Sequence, residues 1–325
     1  MKRFLLLALV PASVACGRGL PDGPLLFVSN EASRDVSVID LTAGKEIARI
    51  PVGERPRGIQ VAPDGHMVYV ALSDDQSNVI GRGDAIVAID LRTRRVAGHI
   101  EAGSGPKHFA ITPDGRYLFA SNEDAGLATA AELSSGRTVG AWQVGIEPEG
   151  VAASPDGRWI YVTAETSNTV SVIDVAAGEV VTSFLVDARP RAAVFSPDSR
   201  RAYVTAEIAG TLNIVDVASH AVMVTVELGD GEGMPVGVAV APDGSRVYVA
   251  SGAAGTVSVI DPDRAVVVGT IPVGRRPWGV AVSRDGRFAY TANGLSNDVS
   301  VLDLRADSVV ATIPVGERPW GVAVR

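Results

Sequence analysis

Residues 276–304 read RPWGVAVSRDGRFAYTANGLSNDVSVLDL, and each phrase of that stretch returns along the chain at a nearly fixed interval. An apolar run at residues 280–282 is followed by Asp285-Gly286, a hairpin signal, and by a second run ending at Tyr290. A loop of small residues leads into Val299-Ser300-Val301-Leu302-Asp303, whose alternation has the period of two of a half-buried strand, and residues 309–315 supply a fourth run. Four short β-branched strands separated by turn residues predict a propeller blade. Such a unit cannot bury its apolar faces alone and is stable only against its neighbours.

Working outward, the turn aspartate recurs at Asp22, Asp64, Asp114, Asp156, Asp198, Asp243 and Asp285, at spacings of 42, 50, 42, 42, 45 and 42 residues. Seven markers predict an all-β fold, a seven-bladed β-propeller forming one domain over residues 20–325. The last inner strand, residues 318–324, is expected to dock beside the N-terminal strand, residues 25–29. One blade then takes one C-terminal and three N-terminal strands, and no sheet edge is left open. Two insertions, residues 73–83 and 230–233, fall on one face. In the third unit Ala128-Thr129-Ala130-Ala131-Glu132 replaces the Val-Ser-Val-Ile-Asp phrase and predicts looser packing.

Thirty-five glycines in 325 residues, without a convincing amphipathic helix beyond the N-terminus, agree with an all-β chain. Residues 1–15 carry Lys2-Arg3, then an apolar run at residues 4–10, then small residues, the pattern of an export signal rather than a membrane span. Cys16 is the single cysteine, so no intramolecular disulfide is expected. Ser13-Val14-Ala15-Cys16 resembles a bacterial lipobox, with Ser13 where leucine is usual. It predicts an acylated, membrane-anchored Cys16, the alternative being simple cleavage after Ala15. Without the signal the chain has 27 basic against 37 acidic side chains, a net of −10, which disfavours nucleic acid as a partner.

The phrases Tyr161-Val162-Thr163-Ala164 and Tyr203-Val204-Thr205-Ala206, with the repeated Val-Ser-Val-Ile-Asp, resemble the YVTN family of bacterial β-propeller repeats over residues 25–325. Four narrower stretches, residues 121–124, 186–191, 293–301 and 319–322, resemble the propeller proteins associated with PQQ-dependent alcohol catabolism. That resemblance implies an exported, periplasmic or lipid-anchored protein without an assigned reaction, encoded near quinoprotein dehydrogenases. It implies a pathway and not a chemistry.

Each inner strand begins at a proline: Pro56, Pro106, Pro148, Pro190, Pro235, Pro277 and Pro319. The residues that follow, Arg57, Lys107, Glu149, Arg191, Val236, Trp278 and Trp320, are expected to ring the mouth of the central channel. Arg55, Arg276 and Arg318 precede three of the prolines. Cations beside indoles in a concave mouth suit a small anionic, planar or partly apolar ligand, or a periplasmic partner protein. No cofactor is required, although a quinone or a divalent cation would be compatible.

Counting outward from the Asp-Gly turns sets Arg189 opposite Glu207, Arg318 opposite Glu31 and Glu147 opposite Glu165, so the arginines have a plain structural use as well. If their role is recognition, replacing Arg57 and Arg191 by alanine is expected to abolish anion binding with melting nearly unchanged. Lys107 and Arg191 are expected to neutralise Glu147, Glu149 and Glu165; a bound metal is the weaker reading and would serve a lactonase-like hydrolase. The acidic loop at residues 74–78 lacks EF-hand spacing, and His66, His99, His108 and His220 show no metal-ligand spacing. The expected protein is a monomeric, non-enzymatic binding or scaffold propeller.

Overall fold

The computed structural model describes Leu20 and residues 23–73, 83–229 and 233–325. The export signal, Cys16, the marker Asp22 and most of both insertions lie outside the described residues. Alternation of β-branched and small residues produces twenty-eight strands among the described residues, numbered in chain order, with one 3₁₀ turn at Glu123–Ala125 and no α-helix. They form seven antiparallel sheets of four strands each.

Blade 1 has the order β28 (Pro319–Val324), β1 (Leu25–Asn30), β2 (Asp35–Asp40), β3 (Lys45–Pro51). Leu26 faces Val324 across the β1–β28 ladder and Val28 faces Val322. The inner strands of blades 2 to 7 are β4 (Pro56–Val61), β8 (Pro106–Ile111), β12 (Pro148–Ala153), β16 (Pro190–Phe195), β20 (Pro235–Val240) and β24 (Pro277–Val282). Each packs against the next around the axis, and β28 completes the circle against β4.

The core is divided into seven apolar clusters, one between each pair of adjacent blades. Leu25, Phe27 and Val36 of blade 1, for example, meet Val68, Val70 and Val87 of blade 2. Each such side chain contributes about 1.5–3 kcal/mol by leaving water.

The expectation of loose packing in blade 3 is corrected here. Ala128 and Ala130 are buried, and the space their small side chains leave is taken by Phe119 and Trp142, whose rings stack 5.8 Å apart. Trp159 likewise packs, edge-on to His220, whose Nδ1 shares a 2.7 Å hydrogen bond with the Tyr161 hydroxyl.

The repeated aspartates at the ends of the third strands cap turns. Asp40, Asp90 and Asp174 each accept two backbone N–H groups, two and three residues on.

Candidate functional site

The mouth is built by one backbone device repeated in every blade. The residue before each inner-strand proline has a positive φ: Arg55, Glu147, Arg189, Met234, Arg276 and Arg318 lie between 41° and 61°, and the seventh is Gly105 at 63°. For a residue with a Cβ this conformation costs about 1–2 kcal/mol. In return its carbonyl points at the loop between the second and third strands and accepts an N–H there. Glu31 donates to Arg318, Glu165 to Glu147, Glu207 to Arg189, Gly252 to Met234 and Gly294 to Arg276, all at 2.9 Å, and Glu123 donates to Gly105 at 3.3 Å.

A bulge follows immediately. In blade 2 Pro56 pairs with Leu72, but the next partners are Ile59 and Val70, so the inner strand has one residue to spare. The same slip occurs after all seven prolines. It falls on the ring residue and its successor, and a bulge at that point re-aims a side chain. In five blades the successor is glycine, because neighbouring inner strands approach too closely for a Cβ. One added at Gly58 would sit 2.9 Å from the Lys107 carbonyl oxygen, and one at Gly279 would sit 2.8 Å from that of Trp320. The exceptions are Ala192 and His108.

The ring residues therefore stand side by side in two arcs. Blades 2 to 5 supply Arg57, Lys107, Glu149 and Arg191, and blades 6, 7 and 1 supply Val236, Trp278 and Trp320. In the first arc the cations are spent on glutamates. Glu31 accepts from Arg55 at 3.0 Å and Arg57 at 3.2 Å, while Arg318, its partner by strand counting, stands 4.0 Å away and is 65% exposed. Lys107 pairs with Glu123 at 2.5 Å and not with the trio expected of it. Buried Arg191 is a hub: it holds Glu149 at 3.2 Å, Glu165 closely and Glu207 at 3.6 Å. Arg189 adds contacts to Glu165 at 2.8 Å and to Glu207 at 3.2 Å.

Glu149 and Glu165, both held by Arg191, do not titrate alike. Burial, then the charge of Glu149, pushes Glu165 up to about 7 against the pull of Arg191. Burial works the same way on Glu149, but Arg191 foremost, then Arg57 and Lys107, holds its carboxyl below the usual range. Glu31 is also held low, against burial, chiefly by Arg57.

Glu147 does not join this group. It is exposed and accepts a hydrogen bond from the Thr166 hydroxyl. Of the three weak metal candidates Glu149 and Glu165 share Arg191 while Glu147 stands apart, and among the described residues no three His, Cys, Asp or Glu side chains gather as a metal-holding group. The loop at residues 74–78 falls outside the described residues.

The second arc has a different chemistry. Trp278 and Trp320 stack at 6.3 Å and 23°, with the Arg57 guanidinium 5.9 Å from Trp320 and that of Arg191 5.8 Å from Trp278. Arg276 lies closer, 4.8 Å from the Trp278 ring. At the ring is a cavity of about 110 Å³, lined by Glu149, Arg191, Trp278 and Trp320 of the ring and by the inner-strand residues Val238, Val280 and Val322. His108 enters it where other blades have glycine. Its ring sits 5.6 Å from Trp320, its Nδ1 has no hydrogen-bond partner among the described residues, and burial lowers its pKa, which favours neutral imidazole.

Sequence reading placed the ring but not the bulge, the positive φ or the place of His108. Gly105 aligned with six bulkier residues was the available sign of the positive φ, and the interrupted Pro-x-Gly pattern was that of His108. Half-buried Arg57 and buried Arg191, expected at the mouth as ligand-binding cations, are found there paired with glutamates. Their ion pairs bear on the expected melting of the Arg57→Ala, Arg191→Ala double variant, since removing Arg191 leaves buried carboxylates without their partner.

Residues 151–243, under a third of the chain, match the family model described as YNCE-like beta-propeller. No curated protein matches the sequence at a significant level. Among solved structures, hydrazine synthase of Kuenenia stuttgartiensis is 23% identical with a TM-score of 0.76, covering 86% of this chain and 92% of its own. A functionally unknown protein from Desulfotomaculum acetoxidans DSM 771 is 18% identical with a TM-score of 0.78, covering 92% and 98%. A putative 6-phosphogluconolactonase from Bacteroides uniformis ATCC 8492 is 17% identical with a TM-score of 0.78, covering 94% and 100%. At such identities the likeness concerns the fold. The chain is a seven-bladed β-propeller, and its central blades match the YNCE-like propeller model.

Proposed function

We propose that the protein is a non-catalytic binding propeller that receives an anionic, partly apolar ligand or protein segment at the indole arc of its mouth. The observation that carries this is the stacked pair Trp278 and Trp320, with Arg276 lying exposed over the outer indole and no carboxylate within 4.0 Å of it among the described residues. A cation not committed to an ion pair, beside an aromatic face, is a receptor for a carboxylate attached to apolar surface. The carboxylates nearest the axis are tied to guanidiniums, which favours recognition over acid–base chemistry.

The wider setting is part of the same proposal: export with acylation of Cys16, and service as an accessory of periplasmic PQQ-dependent alcohol oxidation. A quinone would lie across the mouth, since the cavity of about 110 Å³ is well below the roughly 300–1,000 Å³ of small-molecule pockets. Titration calorimetry with succinate, benzoate and PQQ, on wild type and on Arg276→Ala/Trp278→Ala, tests the site. Binding by wild type that the double variant lacks is expected; equal binding by both removes the indole arc from consideration.

A further inference from the structure

The crown above the indole arc carries charge and apolar surface together. Arg275 and Arg276 are both exposed. The first donates to the Leu295 carbonyl at 2.9 Å and the second lies on Trp278, and neither has a carboxylate within 4.0 Å among the described residues. Arg318, 65% exposed, adds a third outward cation. On a chain of net charge −8 these arginines, with exposed Glu317 beside Arg318, give the mouth of blades 7 and 1 a local excess of cations, the arrangement that steers an acidic partner to one place. Aliphatic side chains stand on loops of the same face: Leu295 of blade 7 is 53% exposed, Met234 of blade 6 44% and Ile208 of blade 5 63%. Gly294 leaves room for the Trp278 indole, since a Cβ there would sit 2.8 Å from its Cδ1.

The size of the cavity decides among occupants. A cavity of about 150 Å³ admits benzene, so one of about 110 Å³ admits an aliphatic side chain but not a fused-ring cofactor. A small free acid could meet one arginine and would leave Leu295, Met234 and Ile208 in water. An extended segment can place one side chain in the cavity, lay its backbone over the aliphatic crown and bring carboxylates to Arg275, Arg276 and Arg318.

We propose that the mouth docks an acidic, extended segment of a partner protein, anchored by one aliphatic side chain. This rests on the mouth-binding reading above and names its ligand class. Panning a randomised linear peptide library against the intact protein tests it. Recovered peptides should carry several Asp or Glu residues around a Leu, Ile or Val. Their affinity should fall with added salt, by about tenfold in Arg275→Ala/Arg276→Ala and about thirtyfold in Trp278→Ala, with melting checked for each variant.

Failure to enrich any peptide, or enrichment without acidic bias and with equal binding to the arginine variant, overturns the inference. If succinate still binds wild type and not Arg276→Ala/Trp278→Ala, the mouth reading survives that failure. Acidic peptides that ignore every mouth substitution sink both.

Discussion

Four neighbouring blades give the mouth Arg57, Lys107, Glu149 and Arg191, and the other three give it Val236, Trp278 and Trp320, on the same backbone. Part of the difference, clearest in blade 7, originates one loop away. Where the left-handed residue clips the loop between second and third strands, the clipped amide belongs to Glu31, Glu123, Glu165 or Glu207 in four blades, but to Gly252 and Gly294 in blades 6 and 7. A glutamate there captures the nearby cation and turns it into a brace between blades. In blade 7 the glycine, Gly294, leaves Arg276 uncommitted and gives the Trp278 indole room, while Trp320 of blade 1 shares its blade with Glu31, whose closest cations come from blade 2. Charge in a concave mouth is thus a poor guide to recognition until its partners are known.

The comparison can be broken in order of expected effect. Deleting residues 316–325 removes β28 and Trp320, where the two arcs meet, and strips β1 of its partner. It should abolish the cooperative melt and cause aggregation, seen by calorimetry and light scattering, and a soluble truncated chain with an unchanged transition would refute the closure as a source of stability.

Next, Arg191→Ala leaves Glu149, Glu165 and Glu207 without their hub and should cost about 3–5 kcal/mol in denaturant unfolding. A loss no larger than that of Trp278→Ala would erase the distinction between a bracing arc and a binding arc.

A smaller effect follows from pH. Glu165 holds its proton in the fold up to about 7, above its ordinary 4.5, so its stabilising contribution is lost as pH rises from about 4.5 through about 7. Glu31 and Glu149 are held low, so their contributions are present above about 4.5 and lost as pH falls below it. Wild type should be most stable near pH 4.5, and Glu165→Gln should flatten the decline from there toward pH 7. Parallel curves in urea would show that Glu165 does not set that limb.

Smallest of all, Arg276→Ala should change stability by no more than about 0.5 kcal/mol, since the side chain is exposed and braces nothing. A larger loss would make the indole arc structural too.

The sequence carried the blades because a period of two and a turn every forty-odd residues are local signals. It also carried facing pairs within a blade: Glu165 lies opposite Glu147, and Glu207 opposite Arg189, because register follows from a tight hairpin. It did not carry contacts between blades. Glu31 takes its closest cations, Arg55 and Arg57, from the next sheet. Those pairings depend on the rotation between sheets and on a bulge that turns the ring residue inward, neither of which a one-blade register can express. Ala128 and Ala130 misled for a similar reason, since the bulk that compensates them, Phe119 and Trp142, sits on flanking strands.

The junction of β1 and β28 also sets the timing of assembly. The Ser29 hydroxyl and the backbone of Gly321, bonded at 2.9 Å, are 292 positions apart, so of the ring's strands β1 is made first and waits for β28. Until then the nascent molecule exposes a greasy, hydrogen-bond-hungry flank at its own beginning. How long the cell must shield that flank depends on translation speed and not on how well any single sheet folds.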